Sequence, residues 1–128
     1  MTTKTTVADL LARLEELNNT VVGPDDEQLS LLPLEILAGE YPHEAIEDYA
    51  DNHHESLENV ADWEDAFRES YIGEQSAAEY AEELAESCGD LENLPNWLRY
   101  RIDWKGVGRD MLLGGDVWES DRGFLFRG

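Results

Sequence analysis

Thirteen carboxylates between Glu40 and Glu92 set the chemistry this chain can do. They form three ladders: Glu44, Glu47, Asp48, Asp51 and Glu55; then Glu58, Asp62, Asp65 and Glu69; then Glu79, Glu82, Glu83 and Glu86. Steps of three and four residues put each ladder on one face of a helix. Neighbouring acids then lie about 5–6 Å apart and repel, at a cost of about 0.2–0.5 kcal/mol per pair. A marginally stable domain has little reason to carry that cost three times unless function uses the charge. Three uses are open in principle: holding a metal, acid–base catalysis, or meeting a cationic partner.

The first two find little support. His53, His54 and Glu55 adjoin in a predicted turn, with His43 a helix away. Adjacent histidines rarely converge on one ion, and no His-Glu-x-x-His pair is present. Asp25-Asp26-Glu27 and Glu47-Asp48 lack the spaced acids and central glycine of a calcium loop. Paired carboxylates catalyse when their environments differ, and regular ladders single out no pair. There is no Gly-x-Ser-x-Gly elbow, phosphate loop or Cys/His nucleophile. Gly106-Val107-Gly108 does not follow a strand. The expectation is a protein that is not an enzyme, with no catalytic residue, metal or cofactor.

The elements that carry the ladders read as follows. Val7, Leu10, Leu11, Leu14 and Leu17 predict an amphipathic helix, capped by Thr5 or Thr6 and ended by Asn18, Asn19 and Thr20. Asp25 to Glu27 suits a helix first turn. Pro33 predicts a break in the apolar run Leu29 to Leu37, and Gly39 a C-terminal cap. Pro42 opens a helix with Ala45, Ile46, Tyr49 and Ala50 inward. Ser56 caps the next, with Leu57, Val60, Trp63 or Glu64, and Phe67 inward. Tyr71-Ile72-Gly73 suggests a short extended segment. Ser76 to Gly89 frames a third acidic helix with Tyr80, Ala81, Leu84 and Ala85 inward. Cys88, the single cysteine, excludes an internal disulfide and reads as a small buried hydrophobe. A short helix follows Leu94-Pro95, another spans Asp103 to Leu113, and Val117 to Phe126 reads as a β-hairpin turning at Ser120 to Gly123. The fold class expected is mainly α with a small C-terminal β element, elongated, with a helical domain over 1–55 and an α+β domain over 56–128.

Charge is distributed unevenly. The chain holds 30 acids and 9 bases, net −21, yet 41% hydrophobic residues and four Trp supply a core. Residues 14–98 contain 24 acids against the single Arg68, while the segments on either side are nearly neutral. Such a field repels nucleic acid and anionic membranes and draws basic clefts from long range. Neither an apolar signal core nor a membrane-length apolar run is present, so a soluble intracellular protein is expected. The acids are open to three readings: solvated helix faces, adaptation to high salt, or neutralisation of a basic partner. Among basic partners, a cleft built for DNA is lined by Lys and Arg that rows of carboxylates could engage in place of phosphates.

The C-terminal half adds a resemblance. Trp63-Glu64-Asp65-Ala66-Phe67, Tyr71-Ile72-Gly73-Glu74, Tyr80-Ala81-Glu82-Glu83, Leu94-Pro95, Leu98-Arg99-Tyr100, Ile102-Asp103-Trp104, Gly108-Arg109-Asp110 and Phe124-Leu125-Phe126-Arg127 follow one another in an order similar to the C-terminal part of the ArdA antirestriction family. The first 62 residues resemble that family's helical middle domain more loosely. The resemblance implies a phage- or plasmid-borne mimic of bent DNA that occupies the DNA-binding groove of a type I restriction–modification enzyme in the cytoplasm of a bacterial host. It implies dimerisation through the C-terminal region, with Trp97, Tyr100, Trp104, Trp118 and Phe124 as candidates for its core or dimer seam. The family usually has a further N-terminal α/β domain before the helical one, and this chain is expected to lack it. Two other readings stand beside it: a DNA mimic aimed at another defence system such as a CRISPR effector, and an acidic adaptor or chaperone-like module for a basic nucleic-acid-binding protein. In each, the thirteen ladder acids are the partner-binding residues.

Overall fold

The computed structural model describes residues 5–20 and 23–128. It is mainly helical, with one small antiparallel sheet. Two compact units divide the chain, Met1–Glu69 and Ser70–Gly128.

The first unit is built on helices that begin where the sequence supplies a cap. Helix α1 spans Val7–Thr20. At its start the Thr6 hydroxyl accepts the Asp9 N–H, and the Asp9 carboxylate accepts the Thr6 N–H. That reciprocal pair satisfies two donors that a helix end leaves open. Val7, Leu10, Leu14 and Leu17 are buried, and the helix ends at Thr20, with Asn18 and Asn19 in its last turn. Helix α2 spans Asp26–Glu40, with Asp25 and Gln28 forming a full capping box.

Helix α2 corrects two expectations. Pro33 lies inside one continuous helix, and Gly39 lies in its last turn, with Tyr41 as the C-cap. Proline in a helix interior costs about 3 kcal/mol. Leu31 and Leu34 bracket Pro33, and both are buried with Leu37, so tertiary burial of about 1.5–3 kcal/mol per leucine outweighs the local penalty.

Helix α3 (His43–Asn52) starts at Pro42 and buries Ala45, Ile46, Tyr49 and Ala50. It ends with His54 at φ 55°, in the left-handed region, and Glu55 N–H reaching back to Ala50 O. A 3-10 turn at Leu57–Asn59, capped by Ser56, leads into α4 (Val60–Ser70). Val60, Trp63 and Phe67 of α4 are buried. Phe67 meets Tyr49 and Tyr41 edge-on at 5.3 and 5.0 Å, and Trp63 stacks on Tyr49 at 5.5 Å. The Trp63 indole N–H donates to Ser56 O, so the ring is buried with its polar atom satisfied.

The second unit opens with strand β1 (Tyr71–Gly73), then α5 (Ala77–Ser87), α6 (Asn96–Arg99), α7 (Trp104–Leu113), β2 (Val117–Glu119) and β3 (Leu125–Arg127). Ser76 caps α5 and Asp103 caps α7, each accepting an N–H of the first turn. The hairpin expected over Val117 to Phe126 is present, and it is part of a larger sheet in the order β1-β3-β2, so β3 is the central strand. Trp118 pairs with Phe126 in one ladder and Tyr71 pairs with Phe126 in the other. Ala77, Val117 and Leu125 form the buried centre, with Ile72, Tyr80 and Met111 packed against it. Gly108 of α7 faces α5 so closely that a Cβ there would lie 2.6 Å from Ala78 N.

Two burial expectations in this unit are corrected. Cys88 is exposed, because α5 ends at Ser87 and Cys88 is its C-cap, past the buried stripe. Leu84 is exposed as well, since only Ala77 and Ala81 of α5 are fully covered.

Candidate partner-binding faces

On each acidic helix the buried residues fix which way the carboxylates point. In α4, Asp62, Asp65 and Glu69 are exposed, opposite Val60, Trp63 and Phe67. At about 100° per residue they share an arc of about 60°. In α5, Glu79, Glu82, Glu83 and Glu86 are all exposed, opposite Ala77 and Ala81. In α3, Glu44 and Asp51 are exposed and point away from Ala45 and Tyr49, whereas Glu47 and Asp48 flank that face and are half-buried. Glu55 and Glu58 lie exposed in the connection between α3 and α4.

The charge density of these faces is set by helix geometry. Glu79 to Glu86 places four carboxylates over about 10 Å of axis at 1.5 Å per residue. That is one charge per about 3.5 Å, against about 3.4 Å for phosphates along one strand of DNA. Glu44 to Asp51 has the same spacing, and Asp62 to Glu69 is sparser by one acid.

Glu47 has a second task. Its carboxylate accepts the Val7 N–H at 2.8 Å, capping the first turn of α1 from across the unit. Nothing in the sequence around Glu47 separates it from its neighbours, because the donor is forty residues away. Replacing it by alanine is expected to cost about 1–2 kcal/mol, since a charge-assisted bond at the positive end of a helix is lost. Asp62→Ala, on an exposed face, is expected to change stability by less than about 0.5 kcal/mol. Urea unfolding of the two variants measures the difference.

Two arginines of the first unit pair with acids outside the ladders. Arg68, the only Lys or Arg in residues 14–98, is ion-paired with Glu40 and lies 5.6 Å from the Tyr41 ring centre. The hydrogen bond it donates to Glu40 raises the Arg68 pKa further. Arg13 bonds Glu27 at 2.9 Å and lies 3.5 Å from Glu16. Hydrogen bonding to Arg13 holds the Glu27 carboxyl below the usual carboxylate range. Glu16, Glu27 and Glu40 all lie outside the three ladders. Among the described residues, no group of three or more His, Cys, Asp and Glu is placed to hold a metal ion.

The aromatic candidates of the second unit divide. Phe124 is buried, Trp118 stacks on Phe126 at 4.3 Å, and Trp104 is half-buried. Trp97 and Tyr100 are not core: they are 70% and 87% exposed, because α6 is a single short turn that buries none of its residues. Sequence reading missed the outer face of α2, where Leu29, Leu32 and Ile36 are exposed. The signal was present, since apolar residues surround that helix instead of lining one side of it.

A family model described as antirestriction protein (ArdA) matches residues 6–126. No curated protein and no solved structure gives a significant match.

Proposed function

The chain belongs to the ArdA antirestriction family, and from that premise we propose that it inhibits by occupying a Lys/Arg-lined DNA groove as a protein substitute for phosphates. The observation that carries this reading is the density of exposed carboxylates on α5, close to that of phosphates along a DNA strand, with exposed acids on α3 and α4 adding to it. The partner is the DNA-binding core of a restriction–modification complex, type I in particular, in the bacterial cytoplasm. The contact is made by the exposed ladder acids, with Glu47 contributing mainly to the fold. No step of chemistry is required of the protein, because the inhibited site is filled and not modified. We place a homodimer seam on the second unit around Trp97 and Tyr100, whose exposed rings are of the type that anchors interfaces.

The test is a titration of a purified type I methyltransferase core with the labelled protein across a salt series. Affinity is expected to fall at least about tenfold between about 50 and about 200 mM salt, as for a polyanion exchanging counterions. Duplex DNA carrying the enzyme's recognition sequence is expected to displace the protein. Affinity that is flat with salt, or a stable complex containing protein, enzyme and duplex together, would overturn the mimicry reading.

A further inference from the structure

Helix α2 is apolar on two opposite faces, and the fold uses one. Leu31, Leu34 and Leu37 are buried, while Leu29, Leu32 and Ile36 on the other side are 51%, 38% and 58% exposed. The exposed three follow steps of three and four, the spacing of a seam that packs against another helix. Gly39 continues the seam, and a Cβ placed there would meet nothing within 4 Å. A helix that is hydrophobic all round is normally covered all round.

Charge decides what covers it. Asp26 lies at one end of the seam, Glu35 beside it and Glu40 at the other end. Glu40 is ion-paired with Arg68, so the flanking charge is that of Asp26 and Glu35. A second copy would set those acids and a net charge of −21 against their own like, at the flanks where coiled-coil partners are chosen. An anionic lipid surface is repelled by the net charge of −21. We propose that this face docks an amphipathic helical segment of another protein, one whose apolar stripe is bordered by Lys or Arg. The site is on α2 and does not depend on the acidic faces of α3, α4 and α5.

Two synthetic two-heptad peptides test it: a Lys/Leu amphipathic helix, and a peptide of equal charge in which every Leu is replaced by Ser. Anisotropy titrations use the full chain and its Leu29→Gln/Leu32→Gln/Ile36→Gln variant. The Lys/Leu peptide is expected to bind the full chain at least about tenfold more tightly than the Lys/Ser peptide. In the variant that advantage is expected to vanish while the Lys/Ser affinity is kept. Equal binding of the two peptides, or an advantage that survives in the variant, would overturn the proposal. So would a full chain that sediments as a dimer and becomes monomeric in the variant, since a second copy would then occupy the face. Methyl NMR shifts on the unsubstituted chain give a readout that does not require the variant to fold. The Lys/Leu peptide is expected to move Leu29, Leu32 and Ile36, and shifts confined to other residues count against the site.

Discussion

Asp62→Lys/Asp65→Lys is expected to weaken target binding by at least about 100-fold, close to 3 kcal/mol, and to abolish inhibition of DNA cleavage. The two side chains point outward from α4, opposite Trp63 and Phe67. Placed in a groove lined by Lys and Arg, they turn two attractions into two repulsions, and like charges set together across an interface cost several kcal/mol. The fold should not suffer. A lysine at position 62 sits four residues after Glu58, and a lysine at position 65 sits four before Glu69. These two like-charge pairs become opposite-charge pairs worth about 0.2–0.5 kcal/mol each, while positions 62 and 65 stay like-charged as before. The loss of Asp62 from the first turn of α4 offsets part of that gain, so thermal stability is expected to hold while binding is lost. Glu82→Lys/Glu86→Lys applies the same logic to α5 and tests the second unit's face separately. Inhibition assays and circular-dichroism melts on both pairs separate contact from folding. Unchanged inhibition in both would remove the acidic faces of α4 and α5 from the mechanism.

Gly108→Ala is expected to unfold the second unit preferentially. The new methyl would lie 2.6 Å from Ala78 N and 2.8 Å from Ala77 C. Both are backbone atoms of α5, so no side chain can swing aside. Relief requires α7 to move off α5, which disturbs the packing of Ala77 with Val117 and Leu125. Overpacking of this kind costs about 1–3 kcal/mol, and against backbone the upper part of that range applies. The gain of about 1 kcal/mol from replacing a helical glycine by alanine does not offset it. The control is Gly39→Ala, where the methyl enters open space in α2 and the propensity gain stands alone, stabilising by up to about 1 kcal/mol. Urea unfolding should shift in opposite directions for the two. A Gly108→Ala protein as stable as the parent would show that the helices can separate at little cost.

The sequence made some parts of this molecule readable and hid others for physical reasons. The helix starts at Ser56 and Ser76 were readable because a cap is a local event, settled within four residues, whereas the caps at Asp25 and Asp103 were not singled out. The hairpin was readable because its two strands flank one turn. The pairing of β1 with β3 was not, since Tyr71 and Phe126 are joined only through the intervening helices. Pro33 misled because propensity is local while burial of Leu31 and Leu34 is tertiary. Cys88 and Leu84 misled because an apolar side chain reads as core whether or not another element arrives to cover it. The candidate site shows the same division. Which helix face is acidic follows from spacing, whereas Glu47 looks like its neighbours until Val7 is seen against it.

The central position of β3 carries a consequence for how the chain is made. By Glu69 the ribosome has synthesised every helix of the first unit, so that unit can fold as it emerges. The second unit cannot: β1 is synthesised early and must wait for residues 125–127 before it has a neighbour to pair with. During that interval its edge is unprotected, and Glu74 immediately after it and the carboxylates of α5 supply like-charge repulsion between nascent chains. The acidity proposed to meet a target would then also guard the half-made protein against its own copies.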